Sequence, residues 1–297
     1  MTDNYSLEHL TSRENSLHVE NAVEIALKSS LGRRYVWILV EAEEDCSFYK
    51  QFFNGKAKVY SVSAQNEKGG YLVVEKFVKE IPNAWPDVKI LGIRDADYTK
   101  YQSIPYSRPH NIFLTEHRDL EMMMLSFESV KRGLVAWNEN FDIKISETGP
   151  FARTLGYLRI YNQEKDLSCS FSNAKVSLKS EWNCSDHTMN DLWESSLFRK
   201  FENGVKKKCA TYAFDEGDFK NFVSEKKLES ELVYDVCRGH DFLSLLSLMM
   251  IQTQLYNSKT ITNKMIESAS LDDFKSTTLY NDITLWEREA GVSVVKS

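Results

Sequence analysis

Short apolar segments alternate with helix-like segments between residues 35 and 134. The apolar segments are rich in β-branched and aromatic residues, as buried strands are: Tyr35–Val40, Lys58–Ala64, Val88–Ile93 and Asn111–Thr115. The other segments place apolar residues at helical spacing: Asp45–Phe53, Tyr71–Ile81 with its end at Pro82, and Asp119–Leu134. This alternation is typical of βαβ units and predicts an α/β fold, in which helices cover both faces of a parallel sheet.

The second half of the chain has a different pattern, with helical periods separated by polar loops. The predicted helical segments are Asn190–Phe201, Phe219–Leu228, Leu232–Leu255 and Ile261–Ser268, and a further short helix is predicted at Val19–Leu27. Strand-like and loop-like sequence mixes over residues 135–165. We therefore expect an α/β domain over residues 1–150, including an N-terminal extension, and a mainly helical domain over residues 151–297.

Charge and composition narrow the class of protein. The formal net charge is −6, which argues against a protein that passively coats nucleic acid, since such proteins are often basic. The longest apolar runs are far shorter than the roughly 20 residues that span a bilayer. The five cysteines include no C-x-x-C pair, and the first residues do not resemble a secretory signal. We expect a soluble, cytoplasmic protein without a membrane partner.

Carboxylates follow three of the four predicted strands. Glu41 follows the first strand, with Asp45 four residues later; Asp95-Ala96-Asp97 follows the third; and an acidic stretch that ends at Glu121 follows the fourth. The carboxyl ends of parallel strands share one edge of a sheet, where ligands bind. Crowded carboxylates repel one another unless a cation neutralises them, and hard oxygen ligands favour Mg²⁺ or Mn²⁺. For each acidic residue taken alone, capping of the next helix is the simpler explanation.

These residues resemble a known motif. Glu41 after an apolar strand, Asp45, and the Asp95-Ala96-Asp97 segment are similar to the Toprim motif of topoisomerases, primases and OLD-type nucleases. Three further stretches narrow the resemblance to OLD-like Toprim nuclease subunits that are paired with ABC-type ATPases in bacterial anti-phage systems such as PARIS: Thr115–Glu121, Arg153–Arg159 and Gly239–Asp241. The resemblance covers roughly residues 10–255. One position departs from it, because Ala42 stands where the Toprim glutamate is usually followed by glycine.

The resemblance implies a metal-dependent nuclease effector. By position, Glu41, Asp95 and Asp97 would be metal ligands, and Asp45 and Glu121 further ligands or organisers of metal-bound water. His117 and Asp119 also lie in the matching stretch Thr115–Glu121, but the resemblance assigns them no step of the reaction. The family implies Mg²⁺ or Mn²⁺, release from a partner ATPase, homodimerisation and cleavage of host tRNA. The chain has no G-x-x-x-x-G-K-[ST] motif, so any dependence on ATP would come from the partner.

Basic residues outside the strands are candidates for contact with the substrate. Arg153 and Arg159 can pair with phosphate oxygens, although one of them can pair with the acidic site instead. Lys206-Lys207-Lys208 is the one compact basic run of the sequence, and it is either a solvated loop or a site for a tRNA backbone. His240 and Asp241 either reach the site or simply begin the helix that follows them.

Three hypotheses follow. The leading one is a two-metal phosphodiesterase, with host tRNA favoured over DNA and a DNA-cleaving OLD-like nuclease as its variant. The second is a regulatory or interaction subunit that keeps a Toprim-like fold, which Ala42 and the negative charge favour. The third is a primase-like nucleotidyl-transfer enzyme.

Overall fold

The computed structural model describes residues 32–62, 70–103, 105–183, 185–250 and 255–296. The predicted helix Val19–Leu27 lies outside these ranges. The chain divides into two compact units: the first extends to Asp95 and includes Ser107–Glu116 and the chain from Leu271, and the second consists of Ala96–Tyr106 and His117–Ser270. The boundaries of these units differ from those of the expected domains, 1–150 and 151–297.

A four-stranded parallel sheet forms the centre of the first unit, which confirms the predicted α/β class. Its strands are β1 (Val36–Val40), β2 (Ala57–Ser61), β3 (Lys89–Arg94) and β4 (Ile112–Leu114). Their order is β2-β1-β3-β4 and all neighbours are parallel. Every residue of β1 is buried, as expected for a central strand covered on both faces.

Helices cover both faces of this sheet, as predicted. Helix α1 (Glu43–Tyr49) connects β1 to β2, and helix α2 (Gly70–Ala84) precedes β3. The two connections run in opposite directions across the sheet, so right-handed crossovers place the helices on opposite faces. Residues Trp37 and Leu39 form one core with Val74 of α2. Just beyond α1, the Phe52 ring stacks on Phe274, with ring centroids 4.6 Å apart.

The predicted end of α2 before Pro82 is wrong, because the helix continues to Ala84. Pro82 lies in the last turn, where a missing backbone N–H costs one helical hydrogen bond. The Trp85 N–H still donates to the Ile81 carbonyl at 2.8 Å, so the final turn closes beyond the proline.

The chain from Leu271 completes the first unit with two helices, α11 (Leu271–Lys275) and α12 (Thr278–Ala290). The Trp286 indole N–H donates to the Asn111 side chain at 3.2 Å, beside the start of β4. Val295 forms an antiparallel bridge with Phe53. Nothing in the spacing of these distant segments predicts this pairing.

The second unit is mainly helical, as expected for the second half of the chain. Its helices are α3 (Leu120–Ser126), α4 (Glu128–Trp137), α5 (Phe141–Glu164), α6 (Trp193–Lys206), α7 (Glu216–Glu225), α8 (Val233–Val236), α9 (Gly239–Met249) and α10 (Ser258–Ser268). A small antiparallel hairpin pairs β5 (Trp182–Asn183) with β6 (Thr188–Met189).

Three predictions for this unit differ from the structure. The helix expected over Leu232–Leu255 is interrupted after α8, where Cys237 and Arg238 are extended, and α9 ends at Met249. The single helix expected over Asp119–Leu134 is broken at Phe127, whose backbone is extended (φ −72°, ψ 131°). The mixed segment 135–165 contains the 24-residue helix α5. Its buried residues lie on several sides, and Gly149-Pro150 interrupts its sequence, so no apolar stripe is visible.

Among the described residues, no helix combines the length and the apolar character needed to cross a membrane.

Candidate functional site

Glu41 and Asp95 meet at the carboxyl edge of the sheet in the first unit. Each residue directly follows a strand, and the two strands, β1 and β3, are neighbours. The backbone N–H of Asp95 donates to Glu41 Oε1 at 3.0 Å, although 54 residues separate the two in sequence. The strand order thus brings together two of the predicted ligands. Both offer carboxylate oxygens, which are the ligands that Mg²⁺ and Mn²⁺ prefer.

Two helices begin beside Glu41. Helix α1 begins at Glu43, and helix α2 begins at Gly70, where an added Cβ would lie 3.3 Å from Glu41 Cβ and 3.4 Å from Oε2. The N-terminus of a helix carries a partial positive charge, and the start of α2 lies beside the Glu41 side chain. The absence of a side chain at Gly70 permits this close approach.

Ala42 occupies its position without backbone strain. Its φ of −129° and ψ of 167° lie in the extended region that every residue adopts. Alanine at this position therefore does not distort the backbone between Glu41 and α1.

Asp45 has a structural role in the same unit. Its Oδ2 accepts a hydrogen bond from the Ala42 N–H at 2.8 Å, which satisfies a backbone donor at the start of α1. This contact supports the simpler explanation weighed from the sequence, that acidic residues after strands stabilise the next helix.

Arg94, the last residue of β3, is buried and held by neighbours. Its Nη1 lies 2.5 Å from Glu75 Oε1, and its guanidinium lies 4.4 Å from the centre of the Tyr71 ring. These contacts link the end of β3 to the first turns of α2 and fix the backbone that leads into Asp95.

Asp97 belongs to the second unit and has a strained backbone. Its φ is 48°, in the left-handed region that few residues other than glycine adopt. The Asp97 N–H donates to the Arg118 carbonyl at 2.7 Å, and Arg118 Nη2 lies 3.1 Å from Asp97 Oδ1. Non-glycine residues held in this region concentrate at functional sites.

Asp119 is buried and supports the ends of two helices. Its Oδ1 accepts the Met122 N–H at 3.1 Å, which caps α3, and its Oδ2 accepts the Gly239 N–H at 2.8 Å, at the start of α9. Arg118 Nη1 also contacts Asp119. Both carboxylate oxygens of Asp119 therefore accept hydrogen bonds from groups of the fold, which agrees with a structural role.

Glu121 follows in α3 and lies against Gly239. Burial raises the pKa of Glu121, and the neighbouring Asp119 carboxylate raises it further. The exposed His240 has its Nε2 3.6 Å from Glu121 Oε1. An added Cβ at Gly239 would lie 2.5 Å from Glu121 Cβ, so glycine is needed for this contact.

His117 pairs with Asp235, a residue that the sequence did not indicate. His117 Nδ1 lies 2.7 Å from Asp235 Oδ1, and Lys100 Nζ lies 3.2 Å from Asp235 Oδ2. Burial favours the neutral form of Asp235, yet hydrogen bonds from His117 and Lys100 hold its pKa below the usual value. A separation of 118 residues between His117 and Asp235 hides this pair from any local pattern.

The predicted substrate-binding arginines have intramolecular partners in the second unit. Arg153 Nη1 donates to the Glu231 carbonyl at 2.8 Å. Arg159 forms two hydrogen bonds with the Asp241 carboxylate, at 2.6 Å and 3.0 Å. Arg159 therefore pairs with an acidic residue outside the predicted carboxylate site, at the start of α9.

The basic run lies at the end of α6. Lys206 pairs with Glu202 one turn earlier, and Lys207 donates to the Asn173 carbonyl at 2.8 Å. Lys208 is exposed. The run therefore presents positive charge at the surface of the second unit while two of its lysines also contact the chain itself.

No complete metal-binding group is present among the described residues: no three His, Cys, Asp or Glu side chains are close enough to hold an ion together. Glu41 and Asp95 are instead a pair. This pair fits Mg²⁺ in its usual protein setting, because Mg²⁺ keeps several waters and is bound through one or two carboxylates together with substrate phosphates.

No protein family matches the sequence, and no curated protein is significantly similar to it.

Proposed function

We propose that the chain is a metal-dependent nuclease that hydrolyses phosphodiester bonds of nucleic acid at Glu41 and Asp95. One observation carries the proposal: neighbouring parallel strands of the buried sheet end in these two carboxylates, and the Asp95 N–H donates to Glu41. The carboxyl edge of such a sheet is where α/β proteins bind their ligands.

Glu41 and Asp95 would hold Mg²⁺ or Mn²⁺, which supplies a polarised phosphate oxygen and an activated water when bound. The chain's own residues prepare this arrangement. The start of α2 lies beside the Glu41 side chain, and Arg94, fixed by Glu75, sets the backbone position of Asp95. Asp97 is a further ligand by the resemblance alone; it belongs to the second unit, where its backbone is left-handed.

The finer proposal concerns the substrate and the partners, and it rests on the resemblance to OLD-like Toprim subunits. In it the chain is an anti-phage effector that an ABC-type ATPase restrains. After release it acts as a homodimer on host tRNA, with Arg153, Arg159 and Lys206–Lys208 as candidate substrate contacts. A DNA-cleaving nuclease is the variant of the same proposal.

A second candidate is an interaction or regulatory subunit with a Toprim-like fold. The specific observation in its favour is that several of the predicted site residues serve the fold. Asp45 caps α1, Asp119 supports two helices, and Arg159 is paired with Asp241. A chain that had lost catalysis would keep such contacts, because they maintain its structure.

A cleavage assay separates the two candidates. Purified chain is incubated with a tRNA pool, single-stranded DNA and duplex DNA, in Mg²⁺, in Mn²⁺ and in excess chelator. We expect cleavage that requires the metal and that falls by at least about a hundredfold in Glu41→Gln and Asp95→Asn, since each removes a ligand charge.

The matched controls are Glu80→Gln and Asp87→Asn, which make the same chemical changes at exposed positions of the first unit. Both should cleave like the wild type. Cleavage that survives Glu41→Gln would contradict the site. Failure to cleave any of the substrates, alone or with a co-expressed ATPase, would favour the interaction subunit.

A further inference from the structure

Tyr49 is a buried residue of the first unit that the proposed site does not yet use. Tyr49 ends α1 and is 1% exposed. Its ring packs against Phe48, with centroids 4.9 Å apart, and against Phe274, with centroids 6.3 Å apart. These aromatic contacts fix the ring, so the position of its hydroxyl is set by packing on both sides.

The Tyr49 hydroxyl has no hydrogen-bond partner among the described residues. A buried polar group without a partner costs free energy, so native chains keep one only when something else compensates for it. A buried tyrosine normally finds a partner for its O–H. Phenylalanine would fill the same space without that cost, and the hydroxyl therefore needs an explanation.

The Tyr49 side chain lies one helical turn after Asp45, whose carboxylate accepts the Ala42 N–H directly beside Glu41. Asp45 and Tyr49 therefore share a face of α1. Burial raises the pKa of the Tyr49 phenol well above its usual value, and the charges of three neighbouring carboxylates raise it further: Asp45, Asp95 and Glu41. A buried donor thus lies within the field of three negative groups.

We propose that Tyr49 is a positioning residue for a hydrated divalent cation held by Glu41 and Asp95. When the ion is bound, the phenolic hydroxyl hydrogen-bonds a carboxylate oxygen or a water of the loaded site and fixes its orientation. Groups of this kind orient metal ligands from one layer further out, and their loss weakens metal binding. The inference rests on the proposed function, because it requires an ion at that carboxylate pair.

Tyr49→Phe tests the proposal through metal affinity and not only through activity. Mn²⁺ alone is titrated into the full chain by isothermal calorimetry, and the same variants are unfolded in urea without metal. We expect Tyr49→Phe to bind Mn²⁺ about tenfold more weakly. Its metal-free urea midpoint should stay the same or rise, because the variant loses an unsatisfied hydroxyl.

Tyr60→Phe is the matched control. Tyr60 lies on β2 in the same unit and is half-buried, and the charges that raise the pKa of its phenol come from Glu43 and Cys46, not from Glu41 or Asp95. Its Mn²⁺ affinity should equal that of the wild type. This control separates a specific role of the Tyr49 hydroxyl from the general loss of a phenolic oxygen.

Two results would overturn the inference. One is wild-type Mn²⁺ affinity in Tyr49→Phe, and the other is a lower metal-free urea midpoint, which would mean that the hydroxyl supports the fold. Glu41→Gln distinguishes the two proposals: if it loses Mn²⁺ binding while Tyr49→Phe keeps it, only the role of Tyr49 is wrong. If neither variant changes the affinity, the metal site itself is wrong.

Discussion

Asp97 and Asp119 have the same side chain but differ in burial and in backbone conformation. Asp119 is buried and gives its oxygens to backbone donors of two helices and to Arg118. Asp97 has a side chain that is 42% exposed and a backbone at φ 48°. Strain of this kind persists when other contacts impose it, and the hydrogen bond to the Arg118 carbonyl does so here. Asp119 therefore supports the fold, whereas a functional role of Asp97 belongs to the proposal.

Glu121 gives a prediction for the dependence of stability on pH. Its pKa is raised, so the folded chain holds the proton more tightly than the unfolded chain does. The contribution of Glu121 to stability is therefore complete below its usual pKa of 4.5 and is lost as the pH rises through the raised value. Asp119 raises this pKa, while His240 and Arg118 lower it.

Glu121→Gln removes this pH-dependent loss of stability, because the glutamine side chain does not ionise. We expect the variant to have a higher free energy of unfolding than the wild type at pH 7, and the gain to disappear below about pH 4. Urea midpoints at pH 4, 5.5 and 7 measure it. A variant that is equally destabilised at all three pH values would show that the carboxylate supports the fold.

Gly92 determines how closely α2 packs on β3. An added Cβ at Gly92 would lie 2.5 Å from Val74 Cγ1 and 2.8 Å from Ile112 Cδ1. Gly92→Ala should therefore destabilise the chain by about 1–3 kcal/mol through overpacking, measured by urea unfolding. Gly55→Ala is the control, because nothing lies within 4 Å of its added Cβ. Equal stability of the two variants would contradict this packing.

The strands were predictable because β-branched and aromatic residues fill them, and their lengths agree with the sequence to within a few residues. Helix α5 was not predictable, since it is buried on several sides and contains Gly149-Pro150. The break at Phe127 was also hidden, because an extended residue between two helices leaves the apolar pattern intact. Hydrophobic periodicity predicts a helix when one of its faces is buried. It does not detect a helix buried on several sides, such as α5.

The residues of the candidate site also differ in how far the sequence predicts them. Glu41 and Asp95 were predictable as a pair, because the rule for parallel sheets places the residues after neighbouring strands at one edge. The proposed role of Tyr49 was not predictable, since an aromatic residue on an apolar helix face is expected to serve packing alone. Asp235 was not either, because its contact with His117 depends on how the helical unit folds and on no motif.

The chain as a whole passes between its two units four times, and one passage falls within the Asp95-Ala96-Asp97 segment. Asp95 ends a strand of the parallel sheet, while Asp97 is fixed by Arg118 in the helical unit. In the proposed function, Asp95 and Glu41 of the first unit hold a divalent cation. An ion that binds only the folded chain must stabilise it against unfolding.

The most direct measurement is the urea midpoint of the full chain in a series of Mn²⁺ concentrations. The wild type should gain stability steadily, by about 2.7 kcal/mol when free Mn²⁺ exceeds the dissociation constant a hundredfold. Glu80→Gln should gain as much, whereas Glu41→Gln and Asp95→Asn should gain little. A wild-type midpoint that does not change with Mn²⁺, or an equal gain in all four proteins, would contradict a metal site at Glu41 and Asp95.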